Sequence, residues 1–337
     1  MGLSHTQGMH PIAPAFLRRR ELLACAGAAL LPLSGRAQAH FPDKPIQLLV
    51  PFGPGGVADI TARTVAEVMG KRLGQPFVID NRPSAGSIVA SQAVATAKPD
   101  GHTLLLMSNA HAVSVALFNK LPYDPVKAFA PISTFGYFDL GFFVQAGSRF
   151  TSLKDVITHA KAHPGKLNVG TIAVGSTQHL AAKLFETVAG LDLLVVPYKA
   201  SPAVLTALRA GEIDLAVEIL APMLPQVQAG AVQALAVSSD RRNPALPAVP
   251  TAIETGVAGY NVASWNALAA PAGTPAAVIE VLNKAVREAL DTPALREKLV
   301  KLGMRPAASS PAEYGQLLSS EIRRWGEVIR AAKIEPE

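Results

Sequence analysis

The stretch Pro51-Phe52-Gly53-Pro54-Gly55-Gly56-Val57-Ala58-Asp59-Ile60 is the first place where residue types and spacing suggest chemistry. Gly55 and Gly56 lack Cβ atoms, so a ligand can approach the backbone and φ can turn positive. Ile46 to Val50, just before, is a short apolar run that reads as a buried strand. From Ala58 to Leu73, Val65, Val68, Met69 and Leu73 recur at helical spacing, with Arg63, Glu67, Lys71 and Arg72 on the outer positions. Glycines between a strand and a helix start leave unpaired N–H groups at the positive end of a helix dipole, which favours an anion. The Gly-Lys-Ser/Thr ending of a nucleotide-phosphate loop is missing, and the glycine spacing is not that of a dinucleotide fingerprint. A small carboxylate is the better match. A corner that needs glycine for steric reasons alone fits the loop equally well. Asp59 suits a carboxylate that satisfies N–H groups and fixes the loop, with direct ligand contact as the alternative.

Ala173-Val174-Gly175-Ser176-Thr177-Gln178-His179 is a second corner of this kind, between the strand-like run Leu167 to Ile172 and a helix from Leu180 to Val188. Ser176 and His179 are hydrolase-type residues, but the Gly-x-Ser-x-Gly elbow is absent. Three residues apart on one corner, they suit helix capping and ligand contact, so no catalytic residue is expected. His159 and His163 have the i, i+4 spacing that holds zinc. The Pro164-Gly165 turn and flanking lysines instead suggest a solvated helix end, and neither a metal site nor a cofactor is expected. Other polar residues at predicted strand ends are Ser108, Asn109, Tyr198, Lys199 and Glu218. In open α/β sheets ligands bind beyond those ends. Lys199 pairs either with a ligand carboxylate or with a neighbouring acid.

Strand and helix patterns alternate along the chain, which argues for α/β architecture. Phe77 to Ile79 and Thr103 to Met107 read as strands and Ser87 to Ala97 as a helix, with a turn at Lys98 to Gly101. Pro131 to Val144 is extended and apolar, carries Phe135, Tyr137, Phe138, Phe142 and Phe143, and is where the chain first crosses between domains. Those aromatics and Trp265 are expected to serve core or hinge packing. Ser152 and Asp155 have capping-box spacing, as do Ser310 and Glu313. Ser201-Pro202, Thr274-Pro275, Thr292-Pro293 and Ser310-Pro311 each read as a cap followed by a first helical residue. Leu191 to Val196, Ile213 to Leu220 and Val232 to Val237 read as strands, the last returning the chain to the first domain. About 300 mature residues suggest two domains. One comprises residues 40–140 and 239–337, the other residues 141–238.

Residues 1–39 read as an export signal. Arg18-Arg19-Arg20 precedes the apolar stretch Leu22 to Leu33, and Ala37-Gln38-Ala39 is an A-x-A cleavage site. The run from Arg19 to Leu23 also suits the twin-arginine route. Cleavage before His40 and a periplasmic location are expected. Cys25, the only cysteine, would leave with the signal. A lipoprotein site there follows the arginines too closely to leave an apolar core before it. Removal takes four arginines and one glutamate, leaving 27 basic against 24 acidic residues. That balance argues against nucleic-acid binding.

Taken in order, many short stretches resemble one family. They include Phe41-Pro42-Asp43-Lys44-Pro45-Ile46, Val50-Pro51-Phe52 with Pro54-Gly55-Gly56 and Asp59-Ile60, Leu73-Gly74-Gln75-Pro76 and Asn81-Arg82-Pro83. Pro99-Asp100-Gly101, Leu121-Pro122-Tyr123-Asp124-Pro125, Pro164-Gly165-Lys166-Leu167-Asn168 and Val196-Pro197-Tyr198-Lys199 follow, then Ala234-Leu235-Ala236-Val237 and Ala270-Pro271-Ala272-Gly273-Thr274-Pro275. Together they resemble the periplasmic substrate-binding receptors of tripartite tricarboxylate transporters, the Bug receptors. The resemblance implies a type II periplasmic binding protein fold, two α/β lobes joined by crossing strands. It implies capture of a small carboxylic acid and delivery to integral-membrane permease subunits, or to a sensor, by a monomer. Carried over, it implicates Phe52, Gly55, Gly56, Ala58 and Asp59 on one lobe and Ser176, Thr177 and His179 on the other. Ser108, Asn109, Tyr198 and Glu218 complete the candidate ligand-binding set. The chain departs from the family at Thr171 to Gly175, usually richer in Gly, Ser and Asn, at Ala200, usually glycine, and at Glu218-Ile219, often Asp-Asn. These departures bear on the ligand rather than on the fold.

Overall fold

The computed structural model describes residues 41–336, so the expected export signal lies outside the described residues. In chain order the elements are β1 (Ile46–Val50), α1 (Val57–Leu73), β2 (Phe77–Asn81), a 3₁₀ turn (Ala85–Ser87), α2 (Ile88–Ala95), β3 (Thr103–Ser108), α3 (Asn109–Leu117) and β4 (Phe129–Gln145). Then come α4 (Leu153–Ala162), β5 (Asn168–Ile172), α5 (Thr177–Ala189), β6 (Leu194–Tyr198), α6 (Ser201–Ala210), β7 (Leu215–Ile219), α7 (Leu220–Gln228) and β8 (Val232–Val237). The last group is β9 (Ala263–Pro271), α8 (Ala276–Leu290), α9 (Pro293–Lys301), β10 (Met304–Pro306) and α10 (Pro311–Ala331).

The long strand β4 organises the two lobes. Its first half, Phe129 to Asp139, pairs antiparallel with β9, which pairs with β3, and β3, β1 and β2 follow in parallel. Its second half, from Leu140, lies between β7 and β8, with β5 and β6 parallel beyond β7. Alternate β4 side chains are large and apolar, and Phe135, Phe138, Phe142 and Phe143 are all buried. Such a strand, buried on both faces, is stable only inside two packed layers.

Two expectations about the crossing need correction. Val232 to Val237 is a strand, but it stays beside the second half of β4. The return to the first sheet is made by β9, after Ser238 has accepted from Val262 N–H and donated its hydroxyl to Val262 O at 2.6 Å. The alanines of β9 hid it, because alanine is a poor strand former on an exposed sheet and is tolerated here by full burial. Likewise α7 carries Pro222 and Pro225, which suppress a helical reading.

Helix punctuation held where side chains close the cap. Ser152 with Asp155 and Ser310 with Glu313 both form full capping boxes. At α6 the cap is Ala200, and Ser201 is the first helical residue. At α8 the cap is Pro275 itself, while the Thr274 hydroxyl donates to Pro271 O at 2.8 Å. Thr292 caps α9 without a side-chain bond.

The aromatic group Phe142, Phe185 and Tyr260 packs with ring centroids 4.8–5.9 Å apart, and the Tyr260 hydroxyl donates to Ala181 O at 3.1 Å. Trp265 is buried edge-on against Tyr314 of α10. The Trp325 indole N–H donates to Glu321 at 2.8 Å and to Asn109 at 3.3 Å, tying α10 to α3.

Candidate ligand cleft

In the first corner, α1 begins after Gly56, which caps it without any side chain, so no residue of the protein occupies the first-turn N–H groups as a side-chain cap does. Gly55 holds φ at +79°, a conformation glycine adopts without strain. Asp59 keeps the loop in shape. It is only 2 % exposed and accepts from Gly55 N–H at 2.8 Å, from Arg63 Nε at 3.0 Å and from Asn81 Nδ2 at 2.9 Å. Burial alone would raise its carboxyl, but the bonds from Arg63, Gly55 and Asn81 outweigh that and hold it below the usual range. Both its oxygens are thus engaged within the corner, and the Gly55 amide is spent on it.

In the second corner, Gly175 takes φ +78° and Ser176 caps α5. The Ser176 hydroxyl accepts from His179 N–H at 3.1 Å and donates to Ile172 O at 3.2 Å. The His179 ring instead turns Nδ1 toward Gly175 N–H at 3.5 Å. Burial, reinforced by Lys183, lowers its pKa to about 4, so the imidazole is neutral at ordinary pH. Anion binding at this corner therefore falls to amides and hydroxyls.

A third helix start lies between them. Ser108 caps α3 in a capping box with His111, whose Nδ1 accepts from Ser108 N–H at 3.0 Å. The sequence signal was present as Ser108 three residues before His111, but no acidic partner marked it. Asn109 reaches across to the second lobe, its Nδ2 donating to the Thr177 hydroxyl at 3.4 Å. Leu117 of α3 sits where any Cβ on Gly175 would be.

A cavity of about 380 Å³ opens between these corners. Its wall includes Phe52 and the loop Ser84 to Ser87 from the first lobe, α3 from Ala110 to Leu117, and Ala173 to Ser176 from the second lobe. Ile334 and Glu335, beyond α10, complete it. Sequence reasoning missed the Ser84 loop. Its signal was a run of small residues after β2, another strand–glycine–helix corner. Gly86 and Ser87 both take positive φ, 57° and 61°, and the buried Ser87 does so at the strain such a residue pays in that region. A larger groove of about 610 Å³ lies on the outer side of α1 among Arg63, Glu67, Gly70 and Phe77. Phe77 begins β2, so that groove is at the wrong end of the sheet for a ligand site.

The remaining candidates fall as follows. Gly55 and Gly56 are exposed and Ala58 half-buried, in the corner that Phe52 begins but outside the cavity wall. Tyr198 is half-buried against the second-lobe core. Glu218 is wholly buried, accepting from Gln178 Nε2 at 2.6 Å and from Ile219 N–H at 2.8 Å. Its Oε2 has no well-formed hydrogen bond, the Ser201 hydroxyl alone lying close enough to favour its charge. Burial raises its pKa against these bonds. Glu218, Tyr198 and His179 thus stand behind the cleft rather than in its wall. His159 and His163 stack at 4.4 Å instead of converging, and His159 Nε2 meets Arg149 at 3.0 Å. Among the described residues no group of three or more His, Cys, Asp or Glu is placed to hold a metal, and no helix is long and apolar enough to cross a membrane.

Comparison with known proteins agrees with this architecture. The family model for the tripartite tricarboxylate transporter family receptor (TctC) matches residues 61–334. BugT of Bordetella pertussis is 34% identical over 310 residues, covering 91% of this chain and 94% of BugT. Rpa4515 of R. palustris, solved with adipate, is 34% identical with a TM-score of 0.77, covering 88% of this chain and all of that one. MatC of Rhodopseudomonas palustris, solved with bound malate, is also 34% identical, with a TM-score of 0.72 over 86% of this chain and 100% of that one.

Proposed function

Because this chain belongs to the tripartite tricarboxylate transporter receptor family, we propose that it is a periplasmic receptor that captures a small carboxylate between its lobes and hands it to a membrane permease. Residues 40–140 and 239–337 make one lobe and residues 141–238 the other. The observation that carries the reading is the single cavity walled by Phe52 from one lobe and Ser176 from the other, with Asn109 and Thr177 meeting beside it at 3.4 Å. The ligand carboxylate takes hydrogen bonds from first-turn amides of α1 and from the Ser176 corner. Each such charge-assisted bond contributes roughly 1.5–3 kcal/mol. Gly55, Gly56 and Ala58 act by placing those amides, and Asp59 by holding the loop. Ser108 and Asn109 position the third helix start, while His179, Tyr198 and Glu218 support the second corner from behind. Adipate and malate in the two solved relatives support an acid as the ligand class.

A thermal-shift screen against carboxylic acids tests this. A ligand at a hundredfold excess over its Kd stabilises the native state by about 2.7 kcal/mol. If neutral solutes raise the melting temperature and no acid does, the proposal fails.

A further inference from the structure

The carboxylate reading leaves the rest of the ligand undefined, and the cavity wall constrains it. No lysine, arginine or histidine lines the cavity. Its side-chain hydroxyls are largely committed: Ser84 accepts from Val89 N–H, Ser114 donates to His111 O, and Ser176 donates to Ile172 O. Only the Ser87 hydroxyl makes no capping bond of this sort. Against these few polar groups stand Phe52, Val113, Leu117, Phe118, Val174 and Ile334. Val174 is 57% exposed at the tip of the second corner, an apolar side chain whose neighbour is the cleft itself. Glu335 brings the one charged side chain of the wall, and that charge is negative.

A ligand bearing several hydroxyls or a second carboxylate would lose water here without gaining partners, which costs binding free energy for each polar group left unmet. A second carboxylate would in addition face Glu335. An alkyl chain or ring would lose nothing and would cover the exposed Val174. Resting on the carboxylate-receptor reading, we infer that the ligand is an acid with a single carboxylate on an apolar body, aliphatic or aromatic, and that Val174 and Glu335 select for it.

Isothermal titration of the purified protein with hexanoate, benzoate, succinate, malate, citrate and the neutral amides hexanamide and benzamide tests the inference. The expected result is that hexanoate or benzoate binds at least tenfold more tightly than malate or citrate, while the amides do not bind. Malate or citrate binding as tightly as the apolar acids would overturn the inference and leave the carboxylate reading standing. Amides binding as tightly as their acids, or no acid binding at all, would overturn both. Val174→Asn and Glu335→Gln are surface changes that leave folding intact. V174N should shift the hexanoate-to-succinate affinity ratio about tenfold toward succinate, and E335Q about threefold in the same direction, the smaller effect reflecting solvent screening. An unchanged ratio in both variants would remove the selection from this wall and sink the inference.

Discussion

Gly175→Ala separates what the second corner contributes to stability from what it contributes to closure. Gly175 holds φ at +78°, and an added Cβ falls inside 3.0 Å of Leu117 Cδ1, where ordinary contact is 3.4–4 Å. The left-handed backbone costs an alanine roughly 1–2 kcal/mol wherever the lobes stand, so this part lowers stability. The Leu117 clash exists only while the lobes meet. Leu117 is half-buried and flexible at its tip, so relief comes at about 0.5–1.5 kcal/mol by forcing it off its rotamer or holding the lobes apart. That second part taxes the ligand-bound state alone and weakens binding about two- to tenfold. Calorimetric titration and thermal melts of Gly175→Ala, Leu117→Ala and the double variant read both quantities. The double variant should lose less affinity than the two single losses combined, while its melting temperature stays lowered. If the affinity losses simply add, Leu117 and Gly175 do not meet when ligand is bound, and the reasoning about closure is wrong.

Asp59→Ala should cost roughly 2–4 kcal/mol in denaturant unfolding, because the Gly55 amide and Asn81 lose their acceptor in a buried corner; a loss under 0.5 kcal/mol would show the loop holds itself. The Asp59 contribution is present above its unfolded value of 3.8 and is lost as pH falls through its lower folded value. Glu218 has the opposite sign: its folded carboxyl is raised by burial, so ionisation destabilises the protein as pH rises through the folded value. Glu218→Gln should therefore gain melting temperature over wild type progressively from pH 4 to pH 8, and parallel curves would rule this out. Burial lowers both His111 and His179 from 6.5 to about 4, so the unfolded chain takes up protons first and stability falls as pH drops below 6.5. Imidazole resonances of both should stay unchanged by NMR between pH 7.5 and 5.5; a titration in that range for either would contradict its burial.

Local signals carried the first corner, the crossing strand and the two capping boxes, because each is written in residues within a few positions of one another. Gly55 and Gly56 mark a turn whatever surrounds them, and Ser152 and Asp155 close a cap without outside help. The Pro131–Val144 run announced a strand buried on both faces. What stayed hidden depends on distant contacts. The alanines of β9 pass for loop until β3 and β4 enclose them. The start of α3 is held by Trp325, over two hundred residues away. Glu218 stands at a strand end, where a ligand contact is a fair expectation, and only the packing of Gln178 and Ile219 around it shows its burial. The Ser84 loop was legible as another glycine corner, but its place in the cavity follows from Leu117 and Phe118 coming up against it.

A crystal structure of the protein with a bound carboxylic acid tests the central claim most directly. The account predicts the carboxylate within hydrogen-bond distance of both the first turn of α1 and the Ser176 corner, with the remainder of the ligand against Val174 and Leu117. A ligand touching one lobe only, or seated in the groove beside Arg63 and Phe77, would contradict it.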